Sequence, residues 1–332
     1  MRTTQERFRA RNGSFFLRGE NVEGFATLTE LLHARSMDYG VHKQQVSVPS
    51  WRTNSVGDNP PVLVENQHVI RRTSDGAVVS PMTVSDGYGE IAPTDMLGDL
   101  DPFVAEKWAT PDSAFCIRQG VVDCVEAISL RLAIEATNPL QTETGDVYRG
   151  YLIARNYHGR GAASAALFLE RECNGSLYTA LAEVSGFKIV HRGQVRDKYS
   201  LAMKRWGDLR ALINAMAAKL RGMVDVPMTL GEAEIFVDEL LKIQAGEKLS
   251  TQKRNLRAAL LDSFNMPRFG TFGKSAADMY HGVVWVGSHY TAEKSKLSNE
   301  DIMESLLEGT RGQREQRAMT MLDRFVARKL AK

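Results

Sequence analysis

Strand-forming and helix-forming patterns occupy different parts of this chain. Extended runs fill the stretch from Val62 to about Cys173, and helical periodicity takes over from about Asn174 almost to the end. Strands early and helices late describe an α+β fold; an alternating α/β fold would place a helix after each strand. Short turns join the extended runs, so the sheet is expected to be largely antiparallel. In "VLVENQHVIRRTSDGAVVSPMTVSDGYGEI" the triplet Ser-Asp-Gly occurs at Ser74–Gly76 and again at Ser85–Gly87. Asp-Gly between extended runs signals a hairpin, because glycine takes the positive φ such turns require. Two further pairs follow: "FCIRQGVVDCVEAISLRLAIEA", turning near Gln119-Gly120, and "DVYRGYLIARNYHGRGAASAALFLEREC", turning at His158–Gly161.

The helical half reads as segments at Ser176–Val184, Arg196–Arg221, Leu230–Gln244, Thr251–Ser263, Lys274–His289 and Asn299–Ala331. Two short helices are expected earlier, in "FATLTELLHARSM" with Thr27 or Thr29 as N-cap, and in the acidic "TDMLGDLDPFVAEKW". These patterns divide the chain into an N-terminal segment (1–61), an α+β core (62–297) and a C-terminal amphipathic helix (298–332). In that last helix Ile302, Leu306, Leu307, Met319, Leu322 and Val326 form the apolar side. Ser298 with Asp301 resembles a capping box, and Arg324, Arg328, Lys329 and Lys332 suit the negative end of the helix dipole.

A chain of 332 residues, 43% hydrophobic and 25% charged, can bury a sizeable core. The net charge of +2 is too small to argue for a polyanionic partner, so any such case rests on local charge. Cys116, Cys124 and Cys173 are odd in number and without Cys-x-x-Cys spacing, which implies free thiols in a reducing compartment. No apolar run approaches the ~20 residues of a membrane helix, and a cytoplasmic protein is expected.

"RFGTFGKSAADMYHGVVW" contains Gly-Lys-Ser ahead of a helix. A phosphate-binding loop would place its first glycine at position 268, where the chain has Arg268, and no buried strand feeds the segment. Ala277, Tyr280 and Val284 instead form a packing stripe at helical spacing.

Charge gives the strongest local signal. Lys188, His191, Arg192, Arg196, Lys198, Lys204, Arg205 and Arg210 follow one another, opposed by Asp197 and Asp208 and interleaved with Tyr199 and Trp206. The preceding hairpin adds Arg155, Tyr157, His158 and Arg160. Cations along a groove neutralise phosphates, and aromatic faces stack on bases. A candidate nucleic-acid surface therefore comprises Arg155, Tyr157, His158, Arg160, Lys188, His191, Arg192, Arg196, Lys198, Lys204, Arg205 and Trp206. The alternative is a solvated basic helix face with Trp206 in the core. Lys253, Arg254 and Arg257 follow the acidic "GEAEIFVDEL", a pattern that favours pairing between neighbouring helices or subunits. His158, Cys173 and His191 lack the close spacing of a metal motif, and no third group is evident to orient a Cys–His or Ser–His pair, so no metal, cofactor or catalytic residue is expected; a metal- or thiol-dependent enzyme centred on these three is the third alternative.

Four stretches carry a family resemblance. These are "VIRRTSDGAVVSPMTVSDGYGEI", "YLIARNYHGRGAASAALFLERECNGSLYTAL" and "IVHRGQVRDKYSLA", with "GTFGKSAADMYHGVVWVGSHY" closing the set. Together they resemble the phage/plasmid-like family catalogued as domain of unknown function 932. In that family an Asn-x-His-Asp-Gly turn joins two strands and a histidine opens a long helix. Here Gly159 stands in place of the aspartate, and Gly175 in place of a usual asparagine. The family brings no established activity; its genes often lie among phage and plasmid replication or recombination genes. The resemblance and the basic segment together lead us to expect a homo-oligomer that binds DNA, preferably single-stranded. The alternative expectation is a non-enzymatic phage assembly or host-interaction protein that self-associates.

Overall fold

The computed structural model describes residues 25–50, 60–119, 122–132, 147–159, 161–172, 179–205, 209–266, 273–289 and 309–331. Its centre is a five-stranded antiparallel meander: β3 (Ala109–Gln119), β4 (Val122–Leu132), β5 (Val147–Tyr157), β6 (Ala162–Glu172) and β7 (Thr179–Val190), hydrogen-bonded in chain order. The α+β class and the antiparallel sheet expected from the sequence are both present. The β5–β6 turn falls where expected, with Gly159 at φ 79° and Gly161 at φ 93°. A side chain at Gly161 would collide with the Tyr157 ring, so glycine is required there for space as well as for φ.

Side chains directly opposite one another share a face of the sheet. The register therefore lines up Ala114, Ile128, Ala154 and Ala165 in one inward row, and Cys116, Glu126 and Asn156 in the next. The first row packs with Leu152 and Leu167 against α1 (Leu28–Ala34), α2 (Pro93–Ala105) and α3 (Val195–Arg205). Thr27 caps α1, its hydroxyl accepting from Glu30 N–H. Pro93 opens α2, and the Asp95 carboxylate accepts from Ala92 N–H at 2.9 Å. In α3, Val195, Tyr199 and Met203 recur every four residues and face the core, where Tyr199 meets the Phe187 ring edge-on at 5.4 Å.

A second core is helical. It is built from α4 (Leu209–Val224), α5 (Leu230–Leu240), α6 (Thr251–Asn265), α7 (Ala276–His289) and α8 (Thr310–Leu330). Helix α7 is buried from Ala276 to Val286, including the Ala277, Tyr280 and Val284 stripe. Gly-Lys-Ser proves to be the approach to α7. The Ser275 hydroxyl accepts from Asp278 N–H, the Asp278 carboxylate accepts from Ser275 N–H, and a bridge to Pro227 pins the segment down. The basic Arg257 pairs with Asp238 and Lys253 with Glu247, so these charges are matched within the chain.

Three expectations need correction. The helix read over Ser176–Val184 is a strand where it is described, since Thr179–Val184 belong to β7 and pair with β6. The open edge of β6 offers those residues a full ladder of hydrogen bonds, which outweighs the helix propensity of Leu, Ala and Glu. The single helix read over Arg196–Arg221 is described as two elements, α3 and α4, and residues 206–208 lie outside the described residues. The first Ser-Asp-Gly turn brings Ala77–Val79 back onto β2 (Val62–Arg72) through a few bonds only. The main partner of β2 is β1 (Val41–Val48), a strand the sequence did not reveal. The N-cap at Thr271, the capping box at Ser298 and the apolar Ile302, Leu306 and Leu307 lie outside the described residues.

Candidate functional site

The inward row that ends in Glu126 and Asn156 leads into a buried polar cluster. Glu126 is 1% exposed and Asn156 0%, and His158, one step beyond the end of β5, is 1% exposed. The Glu126 carboxylate collects three donors. Tyr39 OH donates to Oε1 at 2.6 Å, His158 Nε2 lies 2.9 Å from the same oxygen, and Asn156 Nδ2 donates to Oε2 at 3.1 Å. Burial alone would raise the pKa of this carboxyl group; the charge on His158 and the hydrogen bonds from His158, Tyr39 and Asn156 outweigh it and hold the group below its ordinary value. Burial and the neighbouring Glu126 carboxylate push the Tyr39 phenol far up, so it remains a donor. The Arg72 guanidinium lies over the Tyr39 ring at 4.7 Å, and Cys116 Sγ is 3.8 Å from its hydroxyl.

Tyr88 extends the cluster toward α3. Its ring stacks on His191 at 4.7 Å between centroids and 10° between planes. Its hydroxyl accepts from Gly159 N–H at 3.1 Å and donates to the Tyr157 carbonyl at 3.4 Å. His191 is 4% exposed, and its Nδ1 lies 2.9 Å from Gly89 O. Burial takes its pKa down to about 4, so the ring is neutral at pH 7 and Nδ1–H donates to that carbonyl. Backbone bonds from Gly89 N to His191 O and from Gly193 N to Gly87 O bind this loop to the start of α3. The Ser-Asp-Gly-Tyr-Gly loop, the Asn-x-His turn and the histidine ahead of α3 are far apart in sequence, and they meet here.

The twelve residues picked from sequence separate into three groups. Arg155, Tyr157, His158 and His191 are buried, at 1%, 7%, 1% and 4% exposure, and belong to the interior. Their place at the end of β5 and the mouth of the cluster removes them from any ligand-facing surface; Arg155 lies over the Phe168 ring at 5.8 Å. Lys188, Arg192, Arg196, Lys198, Lys204 and Arg205 are exposed, along the end of β7 and the solvent side of α3. Among these, Arg196 faces Asp95 at 3.3 Å, and Lys198 Nζ donates to Arg192 O at 2.8 Å. Arg160 and Trp206 lie outside the described residues.

Sequence reasoning missed Glu126, Tyr39 and Tyr88. Glu126 left a signal, being an acid in phase with Ile128 and Leu130 on the inward face of a strand. Among the described residues, no three His, Cys, Asp or Glu side chains form a metal-holding group, and no helix is long and apolar enough to cross a membrane.

A buried polar hub carrying a basic helix, set on an antiparallel sheet, is the plan of this molecule. Residues 82–322 match the family model described as domain of unknown function (DUF932), and the chain belongs to that family. No curated protein and no solved structure matches the chain.

Proposed function

We propose that this protein binds nucleic acid, with single-stranded DNA as its substrate, in the replication or recombination of phage or plasmid DNA. The supporting observation is the placement of Lys188, Arg192, Lys198, Lys204 and Arg205 on solvent-facing positions of one continuous segment. Val195, Tyr199 and Met203 hold that segment against the core. The buried cluster fixes the start of α3, so the cations are presented by a rigid element and less side-chain and backbone entropy is lost on binding. Arg196 is engaged with Asp95 and contributes less than its neighbours. His158 and His191 serve as anchors of the surface, without contacting the ligand.

Fluorescence anisotropy with single- and double-stranded oligonucleotides across a salt series tests this. Affinity should fall steeply as salt rises, with a logarithmic slope of about −0.7 per phosphate neutralised on a single strand. Replacing Lys198, Lys204 and Arg205 together by Glu should abolish binding in a folded protein. Unchanged affinity in that triple variant refutes the surface.

A second reading, a self-associating interaction protein, is favoured by the outer end of the β1–β2 hairpin. There Val48, Val62 and Leu63 are 45%, 52% and 59% exposed on a two-stranded ribbon. Apolar side chains at the end of a ribbon suit a contact between subunits. This feature also supports an oligomeric form of the DNA-binding protein.

A further inference from the structure

A surface of cations holds phosphates and does not by itself tell a single strand from a duplex. The aromatic side chains that the sequence offered for stacking on bases do not supply the difference where they are described: Tyr157 is 7% exposed and Tyr199 0%. A preference for single strands requires a side chain that reaches the bases, and the outer side of α3 carries one.

Helix α3 has three sides. Val195, Tyr199 and Met203 face the core. Arg196 and Ser200 face α2, where Arg196 meets Asp95 and the Ser200 hydroxyl donates to Asp99 Oδ2 at 2.7 Å. The remaining side, in water, holds Asp197, Lys198, Leu201, Lys204 and Arg205. With about 3.6 residues per turn, Leu201 stands roughly 200° from both Tyr199 and Met203 and points directly away from the core. It is 46% exposed, and it belongs to neither large core among the described residues.

The neighbours of Leu201 one turn away in either direction are Asp197, Lys198, Lys204 and Arg205, so cations border it on both sides. An apolar side chain set among cations matches a ligand with apolar faces strung along a chain of anions. The faces of the bases are open to such a side chain in a single strand; in a duplex they are stacked on one another. A membrane surface would need a broad apolar stripe, whereas Val195, Tyr199 and Met203 of the same helix are turned into the core.

We infer that Leu201 is a base-contacting residue: its side chain packs on the faces of unpaired bases, while Lys198, Lys204 and Arg205 hold the flanking phosphates. This assignment rests on the nucleic-acid reading of α3 and adds to it the origin of the single-strand preference. Composition and charge cannot reveal such a residue, because a leucine in a basic helix reads equally well as core until the fold shows which way it points.

The test is anisotropy on the full chain with three probes of equal length: oligo(dT), a strand of abasic deoxyribose phosphates, and a duplex. The abasic strand keeps the phosphates and lacks the bases, and salt is kept low enough for it to bind. Leu201→Ala, which preserves helix propensity, should weaken oligo(dT) binding by about three- to tenfold, the worth of roughly half a leucine returned to water. It should leave the abasic strand and the duplex unchanged, and Leu201→Met should restore most of the loss. The salt slope should match wild type throughout, since no charge is altered. Ile235→Ala on α5, where the side chain is 70% exposed, should change none of the three affinities. Equal weakening on oligo(dT) and the abasic strand, or none on either, overturns the base contact and makes Leu201 an ordinary solvated leucine. Weakening on the duplex as large as on oligo(dT) overturns its link to single strands. In either case, oligo(dT) binding that is lost in the Lys198, Lys204 and Arg205 triple variant leaves the nucleic-acid reading standing. No binding of oligo(dT) by the wild type refutes both.

Discussion

At Gly89 the backbone passes against Gly193 so closely that a Cβ would overlap the Gly193 carbonyl and the Val195 side chain. Both strands of this contact are tied by backbone bonds, leaving little room to relax. Gly89→Ala should therefore destabilise the protein by about 1–3 kcal/mol, measured as a lower urea midpoint at unchanged m-value. An unchanged midpoint would show that the loop can shift freely from α3. The same scale explains what the sequence disclosed of the site. His158 and His191 were visible because they stand in motif positions of a recognisable family, whereas Asn156 lies in the same motif and was not picked out. Glu126 and Tyr39 were not: their roles come from strand register and from a loop folded back across the sheet, and single-sequence spacing encodes neither.

Helices were more legible than strands. Helix α5 shows why: Thr229 and Glu232 form a reciprocal capping box, each accepting from the other's backbone N–H, and that pattern can be read from four residues. Strand β1, "VHKQQVSV", carries too many polar residues to signal a half-buried strand and is defined by its pairing with β2. Glu232 also makes a prediction about acid stability. The Lys329 ammonium of α8, 2.6 Å away, and the Thr229 N–H lower its pKa from 4.5 to about 2. A depressed carboxylate pKa stabilises the fold above the unfolded-state value and loses that contribution as pH falls toward the folded-state value. Glu232→Gln should accordingly flatten the loss of stability between about pH 4.5 and 2, as followed by Tm. Thr229→Ala should cost about 1 kcal/mol at neutral pH, where the cap is intact. An acid limb identical to wild type in the Gln variant would assign that limb to other carboxylates.

On the scale of the whole molecule, the α+β class and the order of strands and helices were legible because local turns and periodicities run in chain order. The placement of the β1–β2 hairpin was not, since Val48, Val62 and Leu63 at its outer end are exposed among the described residues. Val48, Val62 and Leu63 carry the prediction here. Replacing all three by Thr should leave Tm nearly unchanged, because they are already in water. It should also reduce self-association in sedimentation velocity. Equal sedimentation of variant and wild type would locate any subunit contact elsewhere.

The two cores follow one another along the chain without interleaving. Among the described residues, the fully buried members of the first end at Met203, with Leu212 of α4 packing against them, and those of the second begin at Met216. On the ribosome, the fully buried apolar residues described for the sheet-and-helix core have been made before those of the helical core appear. The polar hub, whose last member is His191, can close while the remaining two-fifths of the polypeptide is still being synthesised. The order of synthesis thus favours a nascent chain that presents its basic helix first and adds its helical half afterwards.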